Sequence, residues 1–286
     1  MALDLDALRA IRLLARQRVA PRDVMLYALG VGLGADPLDE AQLPFVYEDG
    51  LRVLPTMAIT LTYPPLLAAY AAAGVQPGRV LHGEQRFEIE APLPTDAELE
   101  GDTRVLGLVD KGPGRGLLVY NRTEIRDASC GVRIATLTSS SFFLDEGGCG
   151  AGVIAAPIER HAVPARAPDA VCDLPTLPQA ALIYRLSGDW NPLHALPAVA
   201  RAAGYERPIL HGRCTYGVAG HALLRTLCAY EPARLRGMSA RFTTPVFPGE
   251  TLRTEIWRVD GGAHFRTRVL ERDRVALDNG FAVVDD

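Results

Sequence analysis

Asp189, Asn191 and His194 stand close together in LSGDWNPLHAL (186–196), around Pro192. A carboxylate, an amide and an imidazole so placed can hold one water molecule and move its proton. Pro192 drives Asn191 out of the helical region. Pro192 and Pro197 each suit the first turn of a helix, and Gly204 is a natural stop. The spacing predicts a helix over PLHALPAVARAAG, with Asp189 and Asn191 in the turn before it and His194 in its first turn. The same residues also make an ordinary helix cap, so this stretch alone leaves an acid–base site and a capped loop both open.

A second stretch, RPILHGRCTYGVAGHALL, places His211-Gly212 at a turn and continues as an apolar helix through Leu224. Gly212 would present a bare backbone N–H at a helix N-terminus, where unpaired N–H groups and the helix dipole favour negative charge. An acid–base pair beside an oxyanion donor suits addition of water to an α,β-unsaturated carbonyl. Asp189, His194 and His211 are also metal-ligand types. Their spacing is not the i, i+4 histidine pair of a helical zinc site, and no metal is expected. Cys214 falls inside the buried helix and reads as packing rather than as a nucleophile.

These groups need elements to carry them. Leu8, Ile11, Ala15 and Val19 have helical spacing and predict an N-terminal amphipathic helix. TMAITLTYPPLLAAYAAAGV reads as a buried Ala-rich helical region, interrupted near Pro64-Pro65 and closed by Gly74. QRFEIEAPL, AELEGDTRVLGLVD, GLLVYNRTEIRD and VRIATLTSSSFFL then predict consecutive strands, rich in β-branched and aromatic residues and divided by turns such as DKGPGRG. EGGCGAGVIAAPIERHAVPARAPDAVCDLPT (146–176) lacks periodicity and predicts a linker. Ala240–Val284 repeats the order of the first strand region, anchored by Phe87/Phe242 and Pro94/Pro248. Internal duplication follows: two units, each an apolar helix wrapped by an antiparallel sheet, in a pseudo-symmetric α+β protein with one long helix per half.

Composition bounds the function. Hydrophobic residues make up 48% and charged residues 22%, enough for a sizeable core. The net charge of −4 argues against a nucleic-acid binder. Five scattered cysteines show no CxxC pair, which argues against a zinc knuckle or disulfide framework and fits a reducing compartment. No apolar run reaches a membrane span, the N-terminus does not read as a signal peptide, and AVVDD is not a peroxisomal address. The expectation is a cytoplasmic protein with no membrane partner.

YRLSGDWNPLH…GYERPILHGRCTYG resembles the hydratase 2 motif of the R-specific enoyl-CoA hydratases, the MaoC-like group of the hotdog fold. YALGVG, FVYE, LHGEQ and VDKG extend the likeness along nearly the whole chain, which is similar to the hydratase domain of peroxisomal multifunctional enzyme type 2. The resemblance implies a double hotdog. Residues 1–150 would form a non-catalytic hotdog that binds the acyl chain and CoA, 151–176 a linker, and 177–286 the catalytic hotdog that alone carries the motif. It implies hydration of trans-2-enoyl-CoA to (3R)-3-hydroxyacyl-CoA on medium, long or bulky acyl chains. No cofactor would be needed beyond the CoA of the substrate, and the chain would form a homodimer. Asp189 and His194 would activate water, Asn191 would orient it, and Gly212 would hold the thioester oxygen. His82, Gly83, Lys111, Phe242, Trp190, Pro192 and Leu193 would contact the acyl-CoA, with Tyr27 and Glu48 as sensitive positions in the first half. Leu196 stands where relatives often have Asp, and Arg213 where many have Leu. Both leave the pocket's shape, charge and substrate preference open, and Arg213 suits an anionic substituent. A hotdog thioesterase and a non-catalytic acyl-CoA-binding subunit are the competing readings.

Overall fold

The segment that reads as one amphipathic helix divides in two. In the computed structural model, which describes residues 3–153 and 157–285 and for Pro77 the backbone alone, Leu5–Arg9 forms a short helix, α1, and Arg12–Val19 forms a strand, β1. Asp4 caps α1 by accepting from the Asp6 and Ala7 N–H groups at 3.1 and 2.9 Å. Ala15 and Val19 fit a period of two as well as a helical one. Strand wins because Arg12, Arg16 and Arg18 alternate along an edge where the neighbouring strand offers Asp102, Glu100 and Glu98.

The remaining helices are α2 (Pro21–Gly30), α3 (Leu43–Val46), α4 (Leu66–Ala72), α5 (Ala180–Tyr184), α6 (Pro197–Ala202) and α7 (Gly212–Cys228). The strands are β2 (Val80–Ile89), β3 (Ala97–Asp110), β4 (Leu117–Asp127), β5 (Arg133–Phe143), β6 (Ala170–Pro175), β7 (Leu235–Phe242), β8 (Thr251–Val259), β9 (Gly262–Val269) and β10 (Arg274–Val284). All ten join one antiparallel sheet in the order β1-β3-β4-β5-β2-β7-β10-β9-β8-β6. Counted inward from its own edge, the first half runs β1-β3-β4-β5-β2 and the second β6-β8-β9-β10-β7. The topology therefore repeats strand for strand, and the protein is an α+β double hotdog. The halves meet where β2 pairs with β7, from Glu84 opposite Arg241 to Glu88 opposite Gly237.

Two expectations change here. The linker read over 151–176 includes 154–156, which lie outside the described residues, and its end is not a linker. Ala170–Pro175 is the edge strand β6, registered on β8 from Ile256 to Thr251. Nor does each half carry a long helix. α7, the 17-residue helix, is buried along most of its length. Its counterpart is a fully buried 3-10 turn, Pro55–Thr60, followed after Thr62 (φ +50°) and Pro64-Pro65 by the separate α4. Three prolines in eleven residues remove the N–H groups a continuous helix would need.

The shortened partner is pressed tightly onto α7. A Cβ on Gly220 would lie 2.2 Å from Thr56 Cγ2, and one on Gly217 would lie 2.6 Å from Val31 Cγ1 and 2.8 Å from Tyr27 Oη. Each buried leucine along α7, such as Leu223 and Leu224, contributes about 1.5–3 kcal/mol through removal from water. Where the first half lacks helix, the space between α4, β2 and the N-terminus of α7 is a cavity of about 310 Å³.

Candidate active site

The turn before α6 is bent as its prolines dictate. Gly188 takes φ +110°, and Asn191 sits at φ −55°, ψ 121° ahead of Pro192. Pro192–His194 closes as a 3-10 turn, and Pro197 starts α6 separately, so the single helix expected over this stretch is divided. Asn191 caps the turn by accepting from the Leu193 N–H at 3.0 Å, while its own N–H donates to Asp189 Oδ1 at 3.3 Å. Capping and chemistry thus coexist in the same residues.

His194 is buried and its Nδ1 lies 2.9 Å from the Ile209 carbonyl oxygen. A carbonyl only accepts, so Nδ1 carries the proton and Nε2 presents a lone pair. His211 stacks on this ring at a centroid distance of 3.8 Å, and its Nε2–H donates to the Asp189 carbonyl at 3.1 Å. Sequence spacing marks His211 as the turn residue before Gly212 and as a metal-ligand type, not as a neighbour of His194. Its place behind His194 depends on two loops converging, which no local spacing reveals. Asp189, His194 and His211 bring ligand atoms within 4.8 Å of one another. That donor set could hold a divalent cation.

Burial works on the titratable groups in opposite directions. It would raise the Asp189 carboxyl, but the fields of His211, Arg213 and His194 hold it below the ordinary carboxylate range. Burial lowers His194, with the Ile209 bond and Asp189 opposing it only in part. Burial, with the field of His194, lowers His211 to about 3, and burial, with the field of Arg213, does the same to His82. The resting site therefore holds an ionised Asp189 and a neutral His194. kcat/KM is expected to stay level through neutral pH and to fall only below about pH 6.5, the ordinary histidine value. An acid limb at or above that pH would show that His194 is not the neutral base. The same burial couples folding to pH. Above the unfolded histidine value the neutral rings cost nothing. As pH falls through it toward about 3, the unfolded chain binds protons that folded His82 and His211 refuse, and stability is lost.

Asp189, Asn191, Leu193, His194, Gly212, His82 and Phe242 all line the cavity. Among the described residues the Gly212 N–H, first in α7, has no protein acceptor. Phe242 packs across this point. It lies 4.4 Å from the His82 ring, and a Cβ on Gly212 would meet its edge at 3.3 Å. Gly83 stands behind His82 at a bulge in the β2–β5 register, where a Cβ would come 2.6 Å from Ser140 Oγ. Lys111 is not in the wall; its ammonium lies over Phe142 at 5.8 Å, in the turn after β3.

Besides Lys111, four of the expected residues lie away from this cavity. Tyr27, on α2, is a core residue packed against α7, and among the described residues its hydroxyl has no partner. Glu48 lies on an exposed turn. Trp190 is 56% exposed, beneath the Arg185 guanidinium at 4.6 Å, and Pro192 faces outward. Leu196 is also exposed, so it does not shape the cavity, whereas Arg213 lines it. The order of residues along the turn explains this. Asp189, Asn191 and Leu193 face the cavity and the intervening residues turn away.

Two family models match: the MFE-2 hydratase 2 N-terminal domain over residues 18–145 and the MaoC like domain over 159–279. The chain is 41% identical to 3-hydroxyacyl-thioester dehydratase Y of Mycobacterium tuberculosis, with 98% of each chain covered. It is 37% identical to the peroxisomal enoyl-CoA hydratase 2 of Arabidopsis thaliana, over 90% of this chain and 87% of that one. A crystal structure of a MaoC-like dehydratase from Phytophthora capsici superposes with a TM-score of 0.87 at 32% identity, over 99% of this chain and 98% of the other. With both halves matched and the cavity built from the motif residues, the chain belongs to the MaoC-like enoyl-CoA hydratase 2 family.

Proposed function

We infer that this protein is a hydro-lyase that adds water to trans-2-enoyl-CoA to give (3R)-3-hydroxyacyl-CoA, reversibly. The observation that carries the reading is the meeting of Asp189, Asn191, His194 and the Gly212 N–H in one cavity. Water held by Asp189 and Asn191 attacks C3 as His194 Nε2 takes its proton. The electron pair of the double bond moves to the thioester oxygen, where the Gly212 N–H and the α7 dipole stabilise it. The enolate then collapses and the same proton returns to C2, so one water supplies both added groups. Asp189 stabilises the transient imidazolium. No electrons leave the substrate, so this chemistry calls for no redox cofactor, and CoA enters only as part of the substrate.

Loss of enoyl-thioester absorbance on a medium-chain trans-2-enoyl-CoA tests this, with the product offered separately to R- and S-specific hydroxyacyl-CoA dehydrogenases. Hydration with R product is expected. S product, or thiol release without hydration, would overturn the reading. The apolar wall of Leu66, Leu67, Tyr70, Val80 and Ile209 supports a medium, long or bulky acyl chain. Rates on short, medium and ring-bearing enoyl-CoAs check it, and strict short-chain preference would refute it. The same reading includes a cytoplasmic location, in keeping with five free cysteines and checked by fractionation, and a homodimer, checked by sedimentation. Among the described residues no helix is long and apolar enough to cross a membrane.

A further inference from the structure

Arg213 is a half-buried cation in the cavity wall, directly after the oxyanion glycine. Its guanidinium stacks on Tyr63 at 4.1 Å from the ring centroid. Of its five N–H donors, one reaches an acceptor among the described residues, the Ile59 carbonyl at 3.3 Å. Among the described residues no carboxylate lies within ion-pair distance of it. Some arginines hold a carboxylate in a two-bond fork: Arg253 holds Asp173 at 2.8 and 2.7 Å, and Arg272 holds Glu250 at 2.5 and 2.9 Å. Half-buried Arg185, over Trp190, has no carboxylate partner among the described residues either, but unlike Arg213 it does not line the cavity. Arg213 has Asp189 as a counter-charge, which feels its field but makes no direct ion pair with it; a part-buried guanidinium with donors left over is costly.

Its position also limits the acyl chain. Behind Arg213 and Tyr63 lies a small recess of mixed lining, Ile59, Leu66 and Leu137 beside Gln85, Thr123 and Ser139, with room for only about 20 Å³. That is space for about one water-sized group. A chain directed that way stops at the guanidinium, because the recess beyond it is too small to take more than one such group. A methyl end would cover the cation and strip its remaining water. A carboxylate end would take up the planar fork in charge-assisted, bidentate bonds.

We propose that Arg213 is an anion-recognition residue of the acyl pocket, and that the preferred substrate class is the mono-CoA thioester of a dicarboxylic 2-enoic acid. This rests on the enoyl-CoA reading above, and the test separates the two. Calorimetric Kd values are measured for hexanoyl-CoA against hexanedioyl-CoA, and for decanoyl-CoA against decanedioyl-CoA, which need no turnover. The wild type is expected to favour the diacid ester by about 10-fold or more at one of the two lengths, the size of a charge-assisted hydrogen bond. Arg213→Gln is expected to bring that ratio close to one, and Arg213→Lys to leave an intermediate value, since an ammonium keeps the charge but loses the fork. A wild-type ratio near one at both lengths overturns the proposal. So does a ratio that survives in folded Arg213→Gln, or, should that variant not fold, one undiminished in Arg213→Lys. If the ratio appears but no enoyl-CoA, neutral or carboxylated, is hydrated, the proposed reaction fails and the anion site stands. If neutral enoyl-CoAs are hydrated and the ratio is one, the reaction stands and the anion site fails.

Discussion

Replacing Asp189 or His194 by alanine is expected to lower turnover by at least about 10²-fold, the usual contribution of a positioned acid–base group. Without His194 no neutral lone pair faces the cavity in the orientation that the Ile209 carbonyl enforces. Without Asp189 the water loses an acceptor and the imidazolium loses its counter-charge in a site that burial has taken out of water. Both losses act on the transition state more than on ground-state binding, so kcat should fall more than KM rises. The folded state should survive. Asp189→Ala removes a turn acceptor for the Asn191 N–H, a change of about 1 kcal/mol. Turnover and a thermal melt on each variant make the test. Near-normal turnover in either folded variant would reject the site.

The second large effect is on stability. Gly220→Ala is expected to destabilise the fold by about 1–3 kcal/mol through overpacking. Alanine ordinarily improves a helix by about 1 kcal/mol over glycine, so local propensity points the other way. Contact decides, because a Cβ 2.2 Å from Thr56 Cγ2 has no room unless α7 and the 3-10 turn at Pro55–Thr60 separate. At about 2–4 °C per kcal/mol, the melting temperature should drop by several degrees. Thr56→Ser removes the clashing methyl and should recover much of the loss in the double variant, a coupling expected only of residues in contact. An unchanged or higher melting temperature in Gly220→Ala would mean that the two halves are not pressed together here. The test bears on function too, since the N-terminus of α7 carries Gly212.

By itself the sequence determined the features that local physics decides. Pro192 and Asn191 shape the catalytic turn, His211-Gly212 marks the start of α7, and the strand pattern with its repeat carries the duplicated sheet. Steric restriction, capping and side-chain alternation act over a few residues and are legible in order along the chain. The tertiary structure alone decided the rest. Arg12–Val19 became a strand because β3 supplied acidic partners some ninety residues away. The break near Pro64-Pro65 was legible, but only packing against α7 shows that the segment before it closes as a 3-10 turn and that the space beside α4 and β2 becomes the cavity. Tyr27 and Glu48 left the site because burial in the core and exposure on a turn are set by neighbours distant in sequence. His211 behind His194, and Arg213 over Tyr63, depend on segments 17 and 150 residues apart converging. No periodicity encodes such meetings; they follow from the β2–β7 seam and from how closely α7 packs against the first half.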